Sequence, residues 1–420
     1  MRKAIWTGYV SSALLVLGMA TTGYANGDSP MSELDELRRI IERQQAQLDN
    51  QAMEINKLKE RYGEDLDNPV WVKSTKADVN VELYGQVNRA ILWADNDDVS
   101  ETYFVDNDNS SSRMGLKAEV FLPEENKVGA KIEYEFQSNA SNNVSQFDTY
   151  DASTDLTLRH ADLYWENKQY GKLYLGRSST STDGIAEIDL SGTSVVGYSD
   201  VQAIAGGVYF SDGTSVDEDN DPRVKSVYAN FDGGRQDRIR YDTPHWHGLY
   251  LSGSAFSGDG YDAGIWYSRD YDGTKVAAGF GWLKSGDTGD TGNLLTSYDE
   301  QYAGSASILF DFGFNVTLAY GTRDFDGGGD DADFYYGKLG YKTDIFDFGK
   351  TAFAVDYGYN EDVNGTIAGD EASTWALMAV QNVPAWSTEF YLMFRQYDLD
   401  TDAEDYENVN TVFTGARLKF

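Results

Sequence analysis

Most of the chain alternates with a period of two. In "KVGAKIEYEFQ", Val128, Ala130, Ile132, Tyr134 and Phe136 take every second position, with Gly129, Lys131, Glu133, Glu135 and Gln137 between them. "FNVTLAYGTR" sets Phe314, Val316, Leu318 and Tyr320 against Asn315, Thr317, Ala319 and Gly321, and "TEFYLMFRQ" and "KTAFAVDYGYN" repeat the pattern. The closing "TVFTGARLKF" puts Val412, Thr414, Ala416, Leu418 and Phe420 on one face and Thr411, Phe413, Gly415, Arg417 and Lys419 on the other. This is the signature of β-strands with one greasy and one mixed face. Candidate strands begin near residues 80, 112, 128, 156, 171, 235, 248, 261, 274, 300, 314, 332, 350, 372, 387 and 409.

A soluble β-sandwich also alternates. Two features point elsewhere. The strands are roughly 9 to 12 residues long, suited to a tilted membrane crossing and longer than ordinary globular strands. The connections also alternate in length. Short turns ("PEENK", "NKQYG", "TPHWHG", "FDFG", "DIFDFG", "NVPAW") interleave with long acidic loops ("ADNDDVSETYFVDNDNSS", "KSGDTGDTGNLLTSYD", "DFDGGGDDAD", "LDTDAEDYENV"). Together they predict an all-β transmembrane fold, a sixteen-stranded antiparallel β-barrel over residues 79–420. Closure leaves no backbone polar group facing lipid. It also gives the last strand, ending at Phe420, a partner in "VNVELYGQVNRAILW". Trp93, Trp165, Tyr241, Trp246, Trp266, Trp282, Trp375 and Trp386 fall near strand ends, where amphipathic rings favour a membrane interface.

Before the barrel the period changes to heptads. Leu34, Leu37, Ile41, Gln44, Leu48, Gln51, Ile55, Leu58 and Tyr62 follow one another by three and four residues over about four repeats. Ser32 caps this helix and Gly63 ends it. A lone amphipathic helix on a surface is the alternative. A seam this narrow buries itself only by self-association, and its two Gln layers set register. Residues 26–63 are therefore read as a trimeric α-helical coiled coil, with 64–78 a linker. The helix would be roughly 45 Å long. Ahead of it, "MRK", the apolar "AIWTGYVSSALLVLGMA" and the small-residue end "GYA" read as a signal peptide, residues 1–25. The expected product is an exported protein without a spanning helix.

Composition narrows the functions. With 34 Lys+Arg against 69 Asp+Glu the net charge is −35, which excludes nucleic acid as a partner. No cysteine is present, which excludes disulfides, thiolate metal sites and thiol catalysis. The only histidines are His160, inside a strand, and His245 and His247 in the "HWH" turn. No nucleophile, base and orienting group converge in the sequence, so an enzyme is not expected. No cofactor is called for. The acid-rich "DEDND" and "DGGGDD" offer oxygen ligands for loop-bound calcium but lack EF-hand spacing, and are read as solvated loops.

The segments "LYGQVN", "NDNSSSRMGLKAEV", "LRHADLYWENKQYGKLYLGRS", "GGRQDRIRYDTPHWHGLYLSGSAF" and the terminal "GARLKF" resemble, in order, pieces of the general diffusion porins of Gram-negative bacteria. The resemblance spans about residues 80 to 420. It implies a trimeric outer-membrane channel among lipid and lipopolysaccharide, passing small hydrophilic solutes and ions. It gives Phe420 a second role, as part of the signal read by the barrel-assembly machinery. The heptad segment resembles periplasmic coiled-coil extensions of some trimeric porins.

A barrel this wide cannot be filled by its own side chains, so sieving needs a constriction. Between Arg177 and Arg235 runs the longest connection in the sequence, about residues 178–234. The resemblance folds it into the lumen as an eyelet, with Asp183, Glu187 and Asp189 as its acidic rim. On the facing wall it implies a basic ladder: Arg113, Arg177 and Arg235, extended by Arg238 and Arg240. Acids facing bases would set up a transverse field. The alternative for each arginine is local pairing with an acid. The sequence leaves open whether cations or anions are favoured. Three functions remain: a passive porin, a substrate-specific channel, and a structural tether whose coiled coil links the barrel to the cell wall.

Overall fold

Every alternating segment forms a strand that pairs antiparallel with its sequence neighbours. The computed structural model describes residues 70–73, 79–150, 156–286, 298–325, 331–365 and 367–420. The expected signal peptide, residues 1–25, and the expected heptad seam, Leu34 to Tyr62, lie outside the described residues.

The barrel strands are β1 (Val79–Asp95), β2 in two pieces (Ser100–Asp106 and Arg113–Leu122), β3 (Asn126–Phe136), β4 (Leu156–Asn167), β5 (Gly171–Ser179), β6 (Arg235–Asp242), β7 (Leu249–Phe256) and β8 (Gly260–Tyr271). They continue as β9 (Thr274–Lys284), β10 (Tyr298–Leu309), β11 (Phe314–Phe325), β12 (Ala332–Phe346), β13 (Gly349–Glu361), β14 (Glu371–Val383), β15 (Thr388–Asp400) and β16 (Val409–Lys419). β16 pairs with β1 from Asn410↔Asp95 to Lys419↔Gln86, which closes the sixteen-stranded ring.

Three details differ from the sequence expectations. Ser100–Asp106, read as acidic loop, is a strand that pairs with Arg89–Asp95. Arg113–Leu122 pairs with the lower half of β1, so the two pieces make one barrel strand interrupted at residues 107–112. Second, the stretch read as a linker contains a strand, Val70–Lys73, paired with Asn80–Leu83 of β1. Third, the β7–β8 connection at the long-loop end is a three-residue turn, in which Gly258 and Asp259 take positive φ. At the short-turn end, Asp272 and Gly273 (φ 51° and 98°) form the two-residue Asp-Gly hairpin between β8 and β9, whose twist suits right-handed strands.

The outer face is apolar. Leu83, Val87, Ile91, Leu116, Ile132, Leu163, Leu175, Leu251, Phe280, Leu318, Leu339, Leu377, Leu392 and Leu418 are all exposed. In water such a band would be an aggregation surface, and in a bilayer it is the lipid contact. Phe310, Phe312 and Phe314 stack at the short-turn end, as do Phe346 and Phe348. The inner face is polar on many strands, with Ser252, Ser254, Asp262, Gln301, Ser307, Asn315, Thr317 and Thr411 buried there.

Candidate functional site in the barrel lumen

The connection between β5 and β6, residues 180–234, lies against the inward-facing side chains of the barrel. Its first part follows the wall from β7 towards β12. The Thr182 N–H and hydroxyl both donate to Asp262 at 2.8 Å. The backbone N–H groups of Ile188 and Leu190 donate to Ser305 and Ser307 at 3.0 Å. Further along, the Asn107 amide donates to the Val195 carbonyl, and the Tyr397 hydroxyl to that of Val201. On the way back, the Tyr228 hydroxyl donates to carbonyls of Ser373 and Asp398.

Apolar packing holds this segment inside. Ile185, Val196, Ile204, Phe210, Val227 and Phe231 are buried in one cluster with inward-facing Leu92, Phe334, Met378, Met393 and Phe413. Each such side chain contributes about 1.5–3 kcal/mol when fully removed from water. These wall partners sit on β1 and β12–β16, so the loop leans on that half of the barrel. The upper piece of β2 joins this cluster through Tyr103 and Val105, and the wall from Arg113–Leu122 of β2 to β6 carries charged side chains.

The predicted site residues have separate fates. Asp183 and Arg235 are brought together, 3.9 Å apart. Arg113 donates to Ser110 at 3.3 Å and lies within electrostatic reach of Arg159, Arg235, Glu133 and Glu135. Arg238 is buried, with hydrogen bonds to the carbonyls of Ser179 and Gly176 and to Asp162 at 3.0 Å. Arg240 is tied to Asp242 and the Thr180 carbonyl. Both are locally paired, the alternative reading for each arginine.

Arg177 departs from the ladder outright. It pairs across the sheet with Asp237, as Leu175 does with Ile239. Paired residues share a face, and Leu175 and Ile239 are both exposed to the outside. Arg177 therefore projects outward, 3.7 Å from Asp237, and does not line the lumen. Asp189 is no rim residue either: it forms a buried ion pair with Lys338 at 2.7 Å. The Lys338 ammonium also donates to the Gly197 carbonyl at 2.6 Å, pinning the loop at two points.

Around Glu187 the loop gathers acids. The Asp232 carboxylate accepts the N–H groups of Gly184 (2.5 Å) and Ala186 (2.8 Å), and Glu187 accepts the Asn230 amide at 3.2 Å. Burial, then the neighbouring Asp183, push the Asp232 carboxyl up to about 8. Burial, then Asp232, Asp200 and Asp183, raise that of Glu187. Burial also raises Asp189, but Lys338 outweighs it and holds the carboxyl below its ordinary value. In "DEDND", Asp217 accepts the Asp219 N–H and the Asn220 amide, so its oxygens close a turn.

Several lumen charges escaped the motif-based reading. Arg159 donates to Glu133 at 2.9 Å and to Glu135. Lys117, Lys131 and Lys172 line a recess with Tyr164, Tyr174 and Arg240. Arg395 and Asp356 form a buried pair at 2.7 Å, which also receives the Tyr336 hydroxyl. The alternation of β2 and β3 already put Lys117 and Lys131 opposite the greasy face, and that was the available signal. His160 Nδ1 is 2.6 Å from the Ser178 hydroxyl, and Nε2 is 3.6 Å from Glu133. Glu133 is bound by Tyr84 and Arg159, so this contact braces the wall. His245, in the β6–β7 turn, stacks on Tyr250 at 4.6 Å.

Comparison with known proteins agrees with this architecture. The anion-selective porin from Comamonas acidovorans superposes with a TM-score of 0.55 at 17% identity, over 81% of this chain and 100% of that one. The outer membrane channel DcaP of Acinetobacter baumannii gives 0.52 at 16%, over 83% and 99%. Outer-membrane expressed OmpT of Vibrio cholerae gives 0.52 at 15%, over 83% and 100%. No curated protein matches the chain. The family model described as Gram-negative porin matches residues 73–403, and with that match over most of its length the chain belongs to the Gram-negative porin family.

Proposed function

We propose that the chain forms a water-filled outer-membrane channel for passive diffusion of small hydrophilic solutes and ions. The observation that carries this reading is the two-sided wall. An apolar outer band encloses a polar inner face, across which residues 180–234 narrow the passage. The neck runs between that loop and the charged wall of β2–β6. Arg113, Arg159, Arg235 and Asp183 are its proposed field-setting groups, acting on solutes by charge and dipole. Catalysis has no part in this reading.

The working unit is proposed to be a homotrimer. One structural neighbour, in-vitro folded OmpT of Vibrio cholerae, is described as a trimer form. The heptad seam supports the same stoichiometry. So does Arg89, which projects outward between Val87 and Ile91 and stays 44% exposed although it meets Asp106 at 3.6 Å and donates to Ser138. The part of its guanidinium that these partners leave exposed is unfavourable against lipid, and a subunit contact would cover it. The coiled coil, placed in the periplasm, supports a second role as a tether to the cell wall.

Recordings on purified protein in planar bilayers test the channel. Stepwise conductance with three substeps per insertion is expected, and absence of steps overturns the reading. Deleting residues 32–62 separates the roles: current steps persist while the envelope loosens if the helix is a tether.

A further inference from the structure

On β2 and β3 the lumen wall carries an ordered motif that the loop does not touch. Lys117 and Lys131 are direct cross-strand partners. Like charges placed opposite each other destabilise a sheet, and the row flanks them with acids: Glu82 lies across from Lys117 and Asp162 across from Lys131, with Asp162 taken up by Arg238. In the neighbouring row towards the loop, Tyr84, Gly115 and Glu133 stand side by side on β1, β2 and β3. In the row towards the short turns the order is mirrored: Glu119, Gly129 and Tyr164 on β2, β3 and β4.

Each glycine is the slot for a tyrosine ring. A Cβ on Gly115 would meet the Tyr84 ring at 2.4 Å, and one on Gly129 the Tyr164 ring at 2.4 Å. Lying across these slots, the phenols reach the carboxylates beyond. Tyr84 donates to Glu133 at 2.7 Å, and Tyr164 donates to Glu119. The acids are thereby held back in the wall and shared among several donors. Glu119 serves Tyr164, Lys117 at 3.1 Å and Lys127 at 3.4 Å. Glu133 serves Tyr84, Arg159 at 2.9 Å and Lys131 at 3.6 Å.

The consequence is a difference in exposure. The Lys117 and Lys131 side chains are 37% and 31% exposed, but Glu119 and Glu133 only 9% and 5%. A solute passing this wall meets the two ammonium groups before Glu119 or Glu133, with half-buried Glu82 at the β1 edge of the row. A recess of about 290 Å³ opens beside them, with Lys172 and Arg240 on its far side.

We propose that Lys117 and Lys131 form a binding site for small oxyanions, phosphate or carboxylate groups, on the short-turn side of the neck and separate from the Arg235–Asp183 contact. The net negative charge of the chain masks this site in the sequence. An oxyanion bridging the two ammonium groups relieves their repulsion through charge-assisted hydrogen bonds. Tyr84 and Tyr164 are positioning residues, which hold Glu133 and Glu119 back against the wall, each beside one ammonium group and neither bridging the two.

The inference rests on the channel reading, and one experiment separates the two. Single-channel current through the full-length protein is recorded in KCl with inorganic phosphate added on the short-turn side, and with acetate in a second arm. Saturable block by phosphate is expected. Block by acetate as well assigns the site to oxyanions in general, and block by phosphate alone restricts it to dianions. Lys117→Gln with Lys131→Gln raises the half-blocking concentration about tenfold or more, and the double arginine variant retains the block. Tyr84→Phe frees Glu133 to swing onto Lys131 and weakens the block without removing a positive charge. Folding of each variant is checked by its mobility in unheated detergent gels. Channels whose current neither anion blocks, or a block that survives in the double glutamine variant, overturn the site alone. Absence of any current steps overturns the channel reading and the site with it.

Discussion

Phe420 and Gly85 exchange both backbone hydrogen bonds, Gly85 N–H to Phe420 O at 2.9 Å and Phe420 N–H to Gly85 O at 3.0 Å. The Phe420 ring fills the space where a side chain on residue 85 would start: a Cβ there would lie 2.6 Å from the ring and 2.7 Å from the Arg113 carbonyl. This contact ends the β16–β1 seam, the last pairing needed to close the ring. Gly85→Ala is expected to destabilise the barrel by about 1–3 kcal/mol through overpacking. The check is the temperature at which the folded form is lost in detergent gels. Phe420→Ala should recover only part of that loss, because the Arg113 carbonyl still obstructs the added methyl.

The Lys338–Asp189 pair gives a second prediction. Both side chains are almost fully buried, at 0% and 2% exposure. Lys338→Met leaves the carboxylate without its cation, which typically costs about 3–5 kcal/mol. It also removes the bond to the Gly197 carbonyl, so the segment near residues 189–197 loses two anchors at once. Limited proteolysis should cut within residues 180–234 of this variant and spare the parent. Adding Asp189→Asn should restore much of the resistance.

The strand plan was legible because each segment faces two different surroundings. Lipid selects apolar residues on one face and the lumen tolerates anything on the other, so period two survives strand after strand, and β6, β9 and β11 begin where the pattern begins. It failed at Ser100–Asp106, where "SETYFVD" carries too little apolar contrast to look like a strand. Arg177 was misassigned for a different reason. A motif match ignored its parity with Leu173 and Leu175, which places it outside. The pairing of Lys338 with Asp189, far apart in sequence, depends on where a long loop crosses a closed sheet. No local pattern encodes that.

The acids around Glu187 predict a pH dependence. With its pKa raised to about 8 by burial and by Asp183, Asp232 keeps a proton in the folded loop that the unfolded chain loses near pH 4. Between those limits the native state binds more protons, so this group's stabilising contribution falls as pH rises. Arg235 is paired with Asp183, and Asp200 and Glu187 add to the negative charge around Asp232. The barrel should unfold at a lower temperature at pH 9 than at pH 6. Asp232→Asn should make that difference smaller.

Charge placement at the neck yields a prediction with opposite signs. Arg113 and Arg159 stand on the wall, and Asp183 lies on the loop beside Arg235. Neutralising an arginine that meets the passing ion should shift the permeability ratio towards cations, and neutralising Asp183 should shift it towards anions, each by roughly twofold at low salt. Reversal potentials in a KCl gradient measure this directly. Arg238 offers an internal control. It has Asp162 and two carbonyls as partners and almost no exposed surface, so its charge is already balanced within the wall. Arg177 offers a second, since its guanidinium is on the outer face beside Asp237. Equal shifts from Arg113→Gln and Arg177→Gln would mean that distance from the neck is irrelevant, and the wall of β2–β6 would then not be where ions are selected.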